Sequence, residues 1–281
     1  MADVVDGVNT TGSGPKGTKA VDRALAVLSE FRNGPQLGIS ELAERLDLSP
    51  STVHRLAQAL VARGYLAQDG RTERYRLGLQ NLHLGRVVEE ALQLQSIRPA
   101  LESLSGRTQE SVNLVHRYTD PAQGIIVDRV ESPLPLRFSV SPGDTVPIHC
   151  SAGGKALLAF AADPSREVAG IGQLPSFTHR TITDPQQLIA ELLRIKERGY
   201  SVDDEEFVTG ARCVGGPILN RHGIAIAAVA VQAPLSRLPI DRIEEIVPLI
   251  NETASQIQAV LSGTPGAGEA EHRTPAAASE H

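Results

Sequence analysis

The chain contains few of the features that mark secreted or membrane proteins. Two cysteines among 281 residues do not suggest a secreted disulfide scaffold. There is no run of about eighteen apolar residues, which argues against a membrane-spanning helix. The N-terminus lacks the apolar core of a signal peptide. We therefore expect a cytoplasmic protein that has no membrane partner.

Aromatic residues are also scarce, at 3% of the chain, and tryptophan is absent. Hydrophobic residues nevertheless reach 41%, which is enough for packed cores, and the length predicts two domains. The net charge of -6 is unusual for a DNA-binding protein, but it is unevenly distributed. Residues 18–78 hold nine Lys/Arg against seven Asp/Glu, whereas residues 79–281 hold seventeen against twenty-four. The positive excess therefore lies in the N-terminal part, which can approach a polyanion.

Residues 38–77 show the pattern of two short helices followed by a hairpin. Ser40 is placed to cap the first helix. Ser49 is placed to cap the second, with Pro50 at the first helical position and Gly64 at the end. In both helices the apolar residues recur at helical spacing: Ile39, Leu42, Ala43 and Leu46, then Val53, Leu56, Ala57, Leu60 and Val61.

The exposed face of the second helix carries hydroxyl, amide and guanidinium groups, which bond phosphates and base edges. Small residues at its N-terminus let the backbone approach DNA closely, and the free N–H groups there favour a phosphate. His54 could equally be an ordinary surface residue. The candidate DNA contacts of this helix are Ser49, Pro50, Ser51, Thr52, His54, Arg55 and Gln58.

A hairpin follows the second helix. Asp69-Gly70 marks its turn. Arg74 and Arg76 then project from one face of the return strand and Tyr75 from the other, so both arginines are candidate DNA contacts. This is the layout of a winged helix-turn-helix, which places one helix in the major groove. A helical hairpin in an ordinary core, with solvated charges, is the alternative; the caps and the basic hairpin favour DNA binding.

The segments around this module are predicted to be a helix on each side and a tail at each terminus. Residues 79–94 predict a linker helix that is either buried on its own domain or, as we favour, also packed on a partner subunit. Residues 1–17 and 262–281 are rich in small and polar residues, which predicts disordered tails. Residues 21–31 predict an opening helix whose apolar side consists of Val21, Leu25, Leu28 and Phe31.

Residues 95–261 alternate helical and strand patterns. Short hairpins with helices at both ends predict an α+β domain with a mostly antiparallel sheet. The periodicity predicts helices at 97–104, 152–161, 185–198 and 240–261, and strands at 111–116, 124–130, 136–140, 212–219 and 224–231.

Over about residues 18–261 the chain resembles the IclR-type transcriptional regulators. The segments that carry the resemblance, in order, are AVDRAL at 20–25, ISELA at 39–43, STVHRL at 51–56, YRLG at 75–78, HCSAGGKALL at 149–158, and GYSVDDEE at 199–206 with Cys213. The resemblance implies a winged helix-turn-helix at 18–78, a linker helix at 79–94, and a GAF/PAS-like effector-binding domain at 95–261. It also implies a double-stranded DNA operator, a small-molecule effector, homodimers and dimers of dimers.

The segment 149–155 runs from a strand pattern into a helix. Its small residues, among them Cys150, Ser151, Ala152 and Gly153, keep side chains clear of the helix N-terminus, whose N–H groups can bind a carboxylate. The segment is not a Walker A loop: an upstream glycine is missing, and Ala rather than Ser/Thr follows Lys155. Alternatively, the glycines only permit close packing of helix on sheet.

The resemblance also implies that Asp203 and Cys213 contact the effector. Ala230 and Gln232 match positions where some relatives place hydroxyls, so the departure argues against the small keto-acid effectors of those relatives. An apolar pocket with one anion-binding end suggests an organic or aromatic acid. Candidate apolar walls are Val130, Leu134 and Phe138.

Two other chemistries are weaker hypotheses. Cys150, Cys213 and His149 could form a metal site with nearby acids, but no CxxC or HxxxH spacing supports it. A Cys–His nucleophile would make the domain an enzyme, but thiols among small or apolar residues are usually inert. The acidic run 203–206 could be merely a solvated loop.

The sequence thus predicts an effector-controlled DNA-binding regulator, specifically a repressor, with no catalytic residues, metal or cofactor. A small-molecule-binding or thiol enzyme of GAF-like fold with a fused interaction module is the alternative. Operator binding that depends on both salt and sequence would discriminate between them.

Overall fold

The computed structural model describes residues 18–263. The tails predicted at 1–17 and 262–281 lie outside this range, except that Ser262 ends the last helix and Gly263 follows it. The chain divides into two compact units between Glu89 and Glu90. Each unit combines helices with antiparallel strands, which confirms the α+β, two-domain prediction.

The N-terminal unit contains a helix-turn-helix followed by a two-stranded hairpin. The strands pair antiparallel, with Leu66 opposite Leu77 and Gln68 opposite Tyr75. The elements are α1 (Lys19–Glu30), α2 (Ile39–Arg45), α3 (Pro50–Ala62), β1 (Leu66–Gln68) and β2 (Tyr75–Leu77).

The sequence predicted the N-cap of α3 correctly but not the N-cap of α2. Ser49 caps α3, and its Oγ accepts a hydrogen bond from the Thr52 N–H at 3.3 Å. The prediction for α2 was wrong: Ser40 lies inside the helix and Gly38 is the N-cap. Glycine has no capping side chain. Instead the Gly38 N–H donates to Oε2 of Glu41 at 2.6 Å, so a carboxylate three residues on stabilises this helix end.

The core of the N-terminal unit forms where α1, α2 and α3 meet the hairpin. Tyr75, Leu42 and Val53 are fully buried there, together with Val27. The apolar side predicted for α1 was partly wrong, because Val21 and Leu25 are each 57% exposed. Leu28 and Phe31, which were also predicted, do pack in the core, and Val27 is the buried residue of the helix.

The predicted linker helix is α4 (Leu79–Ala91), which is shorter than expected. Gln93 has a left-handed backbone, with φ of 53°, and this interrupts the helical path. The predicted last residue, Leu94, therefore begins the next helix, α5 (Leu94–Thr108). No residue of α4 is buried, so the alternative of a helix buried on its own domain is not what the structure shows.

The C-terminal unit is built around a six-stranded, fully antiparallel sheet. Its strand order is β5-β4-β3-β8-β7-β6. The strands are β3 (Ser111–Arg117), β4 (Gln123–Val130), β5 (Thr145–Pro147), β6 (Ser201–Asp204), β7 (Ala211–Leu219) and β8 (Ala225–Pro234). With α5, the helices are α6 (Ala152–Ala159), α7 (Pro164–Ile171), α8 (Pro185–Arg198) and α9 (Ile240–Ser262).

In the C-terminal unit three short elements were not predicted, and one predicted strand is absent. Residues 136–140 form irregular backbone, although their alternating pattern favours a strand. Pro133, Pro135 and Pro142 surround them, and proline cannot donate to a strand ladder. The unpredicted elements are β5, α7 and β6, each of which has eight residues or fewer.

Helices cover both faces of this sheet. On one face α5 and α9 bury a core that includes Leu104, Val231 and Ile250. On the other face α6 and α8 bury a second core that includes Leu157 and Leu192. Because side chains alternate along a strand, every second residue of β3, β7 and β8 points toward α6. Those residues are the ones that can line a site at its N-terminus.

Candidate DNA-binding face and effector cavity

The solvent side of α3 carries the polar residues that the sequence singled out. Ser51, His54, Arg55 and Gln58 are exposed, whereas Val53 on the opposite side is fully buried. Within residues 18–263, Arg55 takes part in no salt bridge or hydrogen bond. Its guanidinium is therefore available to a phosphate or to a guanine edge.

Three hydroxyl groups gather at the N-terminus of α3. Oγ of Ser49 lies 3.2 Å from Oγ of Ser51 and 2.8 Å from Oγ1 of Thr52. Pro50 is exposed beside them and removes one backbone donor. Together with the positive end of the helix, hydroxyls in this position can bind a phosphate oxygen.

Gln58 connects α3 to the hairpin. Its Nε2 donates to Oε1 of Gln68 at 3.3 Å and to the phenol oxygen of Tyr75 at 3.2 Å. The side chain thus holds the hairpin against the helix. Because these bonds would have to be exchanged for a bond to DNA, a base contact is a less direct function for Gln58 than for Arg55.

The two hairpin arginines lie in different surroundings. Arg74 donates to the Gln36 carbonyl at 2.9 Å and to Oε2 of Glu41 at 2.7 Å. The Gly38 N–H, and then this guanidinium, lower the pKa of Glu41. Arg76 is exposed and forms no ion pair among the described residues. Arg76 is therefore the freer of the two for DNA, and Arg74 also stabilises the domain.

A small cavity lies between the N-terminus of α6 and the sheet. Its water-accessible volume is about 40 Å³, room for a few water molecules. Seven of the residues proposed from the sequence line it: Ser151, Ala152, Gly153, Asp203, Cys213, Ala230 and Gln232. The sequence reasoning missed Asn113, Val115, Ile126, Val140, Val146 and Phe207. Period-two alternation on β3 was the signal that could have found Asn113 and Val115. Ile126 could not be found this way, because a register shift in the pairing of β3 with β4 puts it on the opposite face from Val130.

Four proposed effector residues do not line this cavity. Val130 packs against the core under α5 and α9, because it points to the opposite face of the sheet. Cys150 is fully buried outside the cavity wall. Leu134 and Phe138 belong to the irregular segment after β4 and are only partly buried. The apolar wall is supplied instead by Val115, Ile126, Val140, Val146 and Phe207.

The N-terminus of α6 leaves backbone donors at the cavity. Ser151 caps the helix, and its Oγ accepts a hydrogen bond from the Gly154 N–H at 3.2 Å. The N–H groups of Ala152 and Gly153 have no acceptor among the described residues. Close packing is real as well, because a Cβ on Gly153 would lie 2.7 Å from Cγ2 of Val115. The small residues therefore serve both the packing and the open helix end.

Lys155 is a structural residue rather than a ligand contact. It is 1% exposed, its ammonium group pairs with the Glu206 carboxylate, and its Nζ donates to the Val202 carbonyl at 2.6 Å. Burying an ion pair of this kind requires good geometry and further hydrogen bonds. The pair fixes α6 to the end of β6, next to Asp203.

Asp203 is a buried carboxyl at the cavity wall. Its Oδ1 accepts hydrogen bonds from the Glu206 N–H at 2.8 Å and the Phe207 N–H at 3.3 Å. Burial raises its pKa to about 7, and Glu206 adds to the increase while Lys155 opposes it. The group can therefore carry a proton near neutral pH, which lets it donate to an anion.

The two thiols are poor nucleophiles and poor ligands. Burial raises the pKa of Cys150, and burial with the nearby Asp203 carboxyl raises the pKa of Cys213, so both remain protonated. Between residues 18 and 263 no group of three or more His, Cys, Asp or Glu side chains is arranged to hold a metal ion. No helix in that part of the chain is long and apolar enough to span a membrane.

A helix-turn-helix with an exposed polar α3, joined to an α+β domain with a small cavity, is the architecture of a DNA-binding regulator. Comparison with family models agrees. Residues 20–70 match the IclR helix-turn-helix domain, and residues 86–259 match the bacterial transcriptional regulator IclR C-terminal domain. The chain belongs to the IclR family. It is a DNA-binding transcriptional regulator and not an enzyme, as the sequence resemblance predicted.

Individual relatives are similar over most of their length. The HTH-type transcriptional regulator BhcR of Paracoccus denitrificans is 33% identical over 90% of this chain and 91% of its own. The transcriptional repressor IclR of Escherichia coli is 29% identical over 87% and 90%. The crystal structure of an IclR homolog from Microbacterium hydrocarbonoxydans, complexed with 4-hydroxybenzoate, has a TM-score of 0.77 at 25% identity, covering 88% of this chain and 100% of that one.

Proposed function

We propose that the chain is a homodimeric, operator-binding repressor controlled by a small organic acid, and that it acts in the cytoplasm, where bacterial DNA lies. Residues 18–78 are the DNA-binding domain, 79–94 the linker and 95–261 the effector domain. The observation that carries the proposal is the polar, solvent-facing side of α3, with Arg55 unpaired among the described residues. Its position in a helix-turn-helix is that of a recognition helix.

The DNA contacts follow from exposure and charge. Arg55 reads a base edge or a phosphate, and Arg76 contacts the backbone beside it. The hydroxyls of Ser49, Ser51 and Thr52 bind a phosphate at the helix end. The remaining proposed DNA contacts on this surface are Pro50, His54, Gln58 and Arg74. A module that contacts several phosphates binds less tightly as salt rises.

Exposed apolar residues support the homodimer. In α4, Leu79 is 80% exposed and Leu82 65%, and Val87 and Val88 in the same helix are also exposed. A soluble monomer rarely leaves such a group uncovered. We propose that the same surface of a second copy covers it, since a two-fold interface uses one patch twice. This arrangement presents two recognition helices to two half-sites, and two such dimers can associate further.

The cavity at α6 supports control by an acid. The free N–H groups of Ala152 and Gly153 favour an anion, and five of the lining side chains are apolar: Val115, Ile126, Val140, Val146 and Phe207. The Microbacterium homolog in its complex binds 4-hydroxybenzoate, an aromatic acid. Because the cavity holds only about 40 Å³ of water-accessible space, an acid of that size must enlarge it. The open and closed cavities are then two states between which the effector selects.

The two functions are coupled by a population shift. The effector stabilises one state of the C-terminal domain, and the linker transmits that choice to the spacing of the recognition helices. Two half-sites about one turn apart, ~34 Å, require that spacing to be held closely. The largest change in operator affinity that the effector can cause is set by how much more tightly it binds one of these two states than the other.

The experiment is operator binding by the full-length protein, with an operator first selected by the protein itself from genomic DNA fragments. Fluorescence anisotropy is measured against salt and against a panel of carboxylic acids. We expect a steep loss of affinity with salt, and a shift in affinity with at least one acid. Arg55→Ala should weaken operator binding by about 1–3 kcal/mol, with Arg63→Ala as the control for another exposed arginine. If the Arg55→Ala variant binds the operator with the same affinity as wild type, the proposed contact between α3 and DNA is wrong.

A further inference from the structure

Arg129 is a buried cation beside the effector cavity. It lies on β4 opposite Asn113 of β3, and it is 6% exposed. Among the described residues it has no carboxylate partner within salt-bridge distance, and its Nε is buried without any hydrogen-bond partner. Burial lowers its pKa. A buried charge without a counter-charge in contact with it is unfavourable for folding, so its presence needs a reason.

The guanidinium contacts two residues that line the cavity. Its Nη1 donates to Oδ1 of Asn113 at 2.7 Å and to Oε1 of Gln232 at 3.3 Å. Its Nη2 donates to Oγ of Ser111 at 3.2 Å and to the Phe138 carbonyl at 2.6 Å. All these partners are neutral oxygens, so they satisfy hydrogen bonds without a contacting counter-charge. The carboxylates of Glu131 and Asp144 act on the guanidinium only from beyond salt-bridge distance.

The same contacts determine how the two amides are turned. Arginine is a donor only, so both amide oxygens face it. Nδ2 of Asn113 also donates to Oε1 of Gln232, at 3.4 Å. The Nε2 group of Gln232 therefore has no acceptor among the described residues, while its side chain lines the cavity. This end of the cavity presents a hydrogen-bond donor backed by a positive charge.

This donor end is separate from the N-terminus of α6. A Cβ on Gly215 would contact Ala152, so the helix end lies over Gly215 on β7. Register connects Gly215 to Ala230, Ala230 to Asn113, and Asn113 to Arg129. Gln232 lies on β8, two residues from Ala230. One strand spacing of roughly 4.8 Å and two residues at about 3.4 Å each place it about 8 Å from Gly215, a separation that a small diacid can span. The cavity thus has two ends that attract oxygen acceptors.

We propose that Arg129 is a positioning and specificity residue that selects effectors carrying a second carboxylate, one at the α6 N-terminus and one at the Asn113–Gln232 end. This inference rests on the proposed effector function and deepens it. The second carboxylate accepts from Gln232 Nε2 and brings a counter-charge to the cavity wall beside Arg129, which has no carboxylate within salt-bridge distance among the described residues. A monocarboxylic acid with an apolar tail would leave both unsatisfied.

The test compares matched acids by calorimetry on the full-length protein at fixed pH and ionic strength. The pairs are succinate with butyrate, and terephthalate with benzoate. In at least one pair we expect the diacid to bind at least about tenfold more tightly than its monoacid. A hydrogen bond to a charged group has an effect of this size. Arg129→Gln should reduce that preference to within about twofold, and Arg129→Lys should retain part of it.

Arg107→Gln is the control, because it removes an exposed arginine of α5 that pairs with Glu252 and is absent from the cavity lining. It should leave the preference unchanged. If Arg129→Gln does not fold, Gln232→Leu removes the donor instead and should also abolish the preference. Equal binding of diacids and monoacids by the wild type, or a preference that survives both variants, overturns the inference but not effector control. Failure of all four acids to bind overturns the inference, while effector control is decided separately by the wider panel of acids in the operator titration.

Discussion

The face of α3 and the cavity under α6 are built on opposite principles. On α3 the candidate contacts are exposed, and Arg55 has no partner in the described chain. Around the cavity, the polar groups are buried and bonded to each other: Lys155 to Glu206, Asp203 to two backbone N–H groups, Arg129 to four oxygens. Substitutions on the first surface should change binding alone, whereas substitutions around the second should change stability and binding together.

The largest effect is expected at the buried ion pair. Lys155→Met leaves the Glu206 carboxylate buried without its cation, which should lower the free energy of unfolding by about 3–5 kcal/mol. Urea denaturation measures the change. Lys196→Met, at an exposed lysine of α8, is the matched control and should stay within about 0.5 kcal/mol of wild type. If both variants unfold at the same urea concentration as wild type, the cavity wall is not held by this pair.

The second effect concerns the proton on Asp203. Its pKa of about 7 in the folded protein exceeds the ordinary carboxyl value, so the stability that its protonated form contributes is present at low pH and lost as pH rises through 7. The facing charged groups are Lys155 of α6 and Glu206 after β6, with the Cys213 thiol on β7. A bound carboxylate favours the protonated form, because the ionised form repels it.

Acid affinity should therefore fall by about tenfold between pH 6 and pH 8, as one linked proton requires. Calorimetry with an acid that stays ionised over this range measures it. In Asp203→Asn the affinity should be independent of pH over the same interval, because the amide donates without titrating. A wild-type affinity that is flat from pH 6 to 8 would show that Asp203 does not face the bound anion.

The comparison also shows what sequence can and cannot predict. The α3 face depends on local rules, namely the Ser49 cap, Pro50 at the first position and helical spacing, so the sequence predicts directly which of its residues face solvent. The cavity depends on sheet register. Asn113 and Gln232 are far apart in sequence, and only the pairing of β3 with β8 brings them together. Val130 was misplaced because the sequence alone does not say which face of β4 points toward α6, and that face carries Arg129.

The smallest effect separates folding from DNA binding within α3 itself. Ser49→Ala removes the hydrogen bond to the Thr52 N–H, and a lost serine cap lowers stability by about 1 kcal/mol. Ser51→Ala removes an exposed hydroxyl that caps no backbone donor of α3, so its stability should match wild type. Both variants should weaken operator binding, because both hydroxyls are proposed to face a phosphate.

Thermal melts and operator titrations of these two serine variants together decide the matter. If Ser51→Ala binds the operator as wild type does while Ser49→Ala binds weakly and melts early, the hydroxyl cluster acts through helix stability and the phosphate contact is made by backbone N–H groups alone. If both bind weakly and only Ser49→Ala melts early, the cluster contacts DNA directly. Ser49 would then act in both ways, because it stabilises α3 and also contacts DNA.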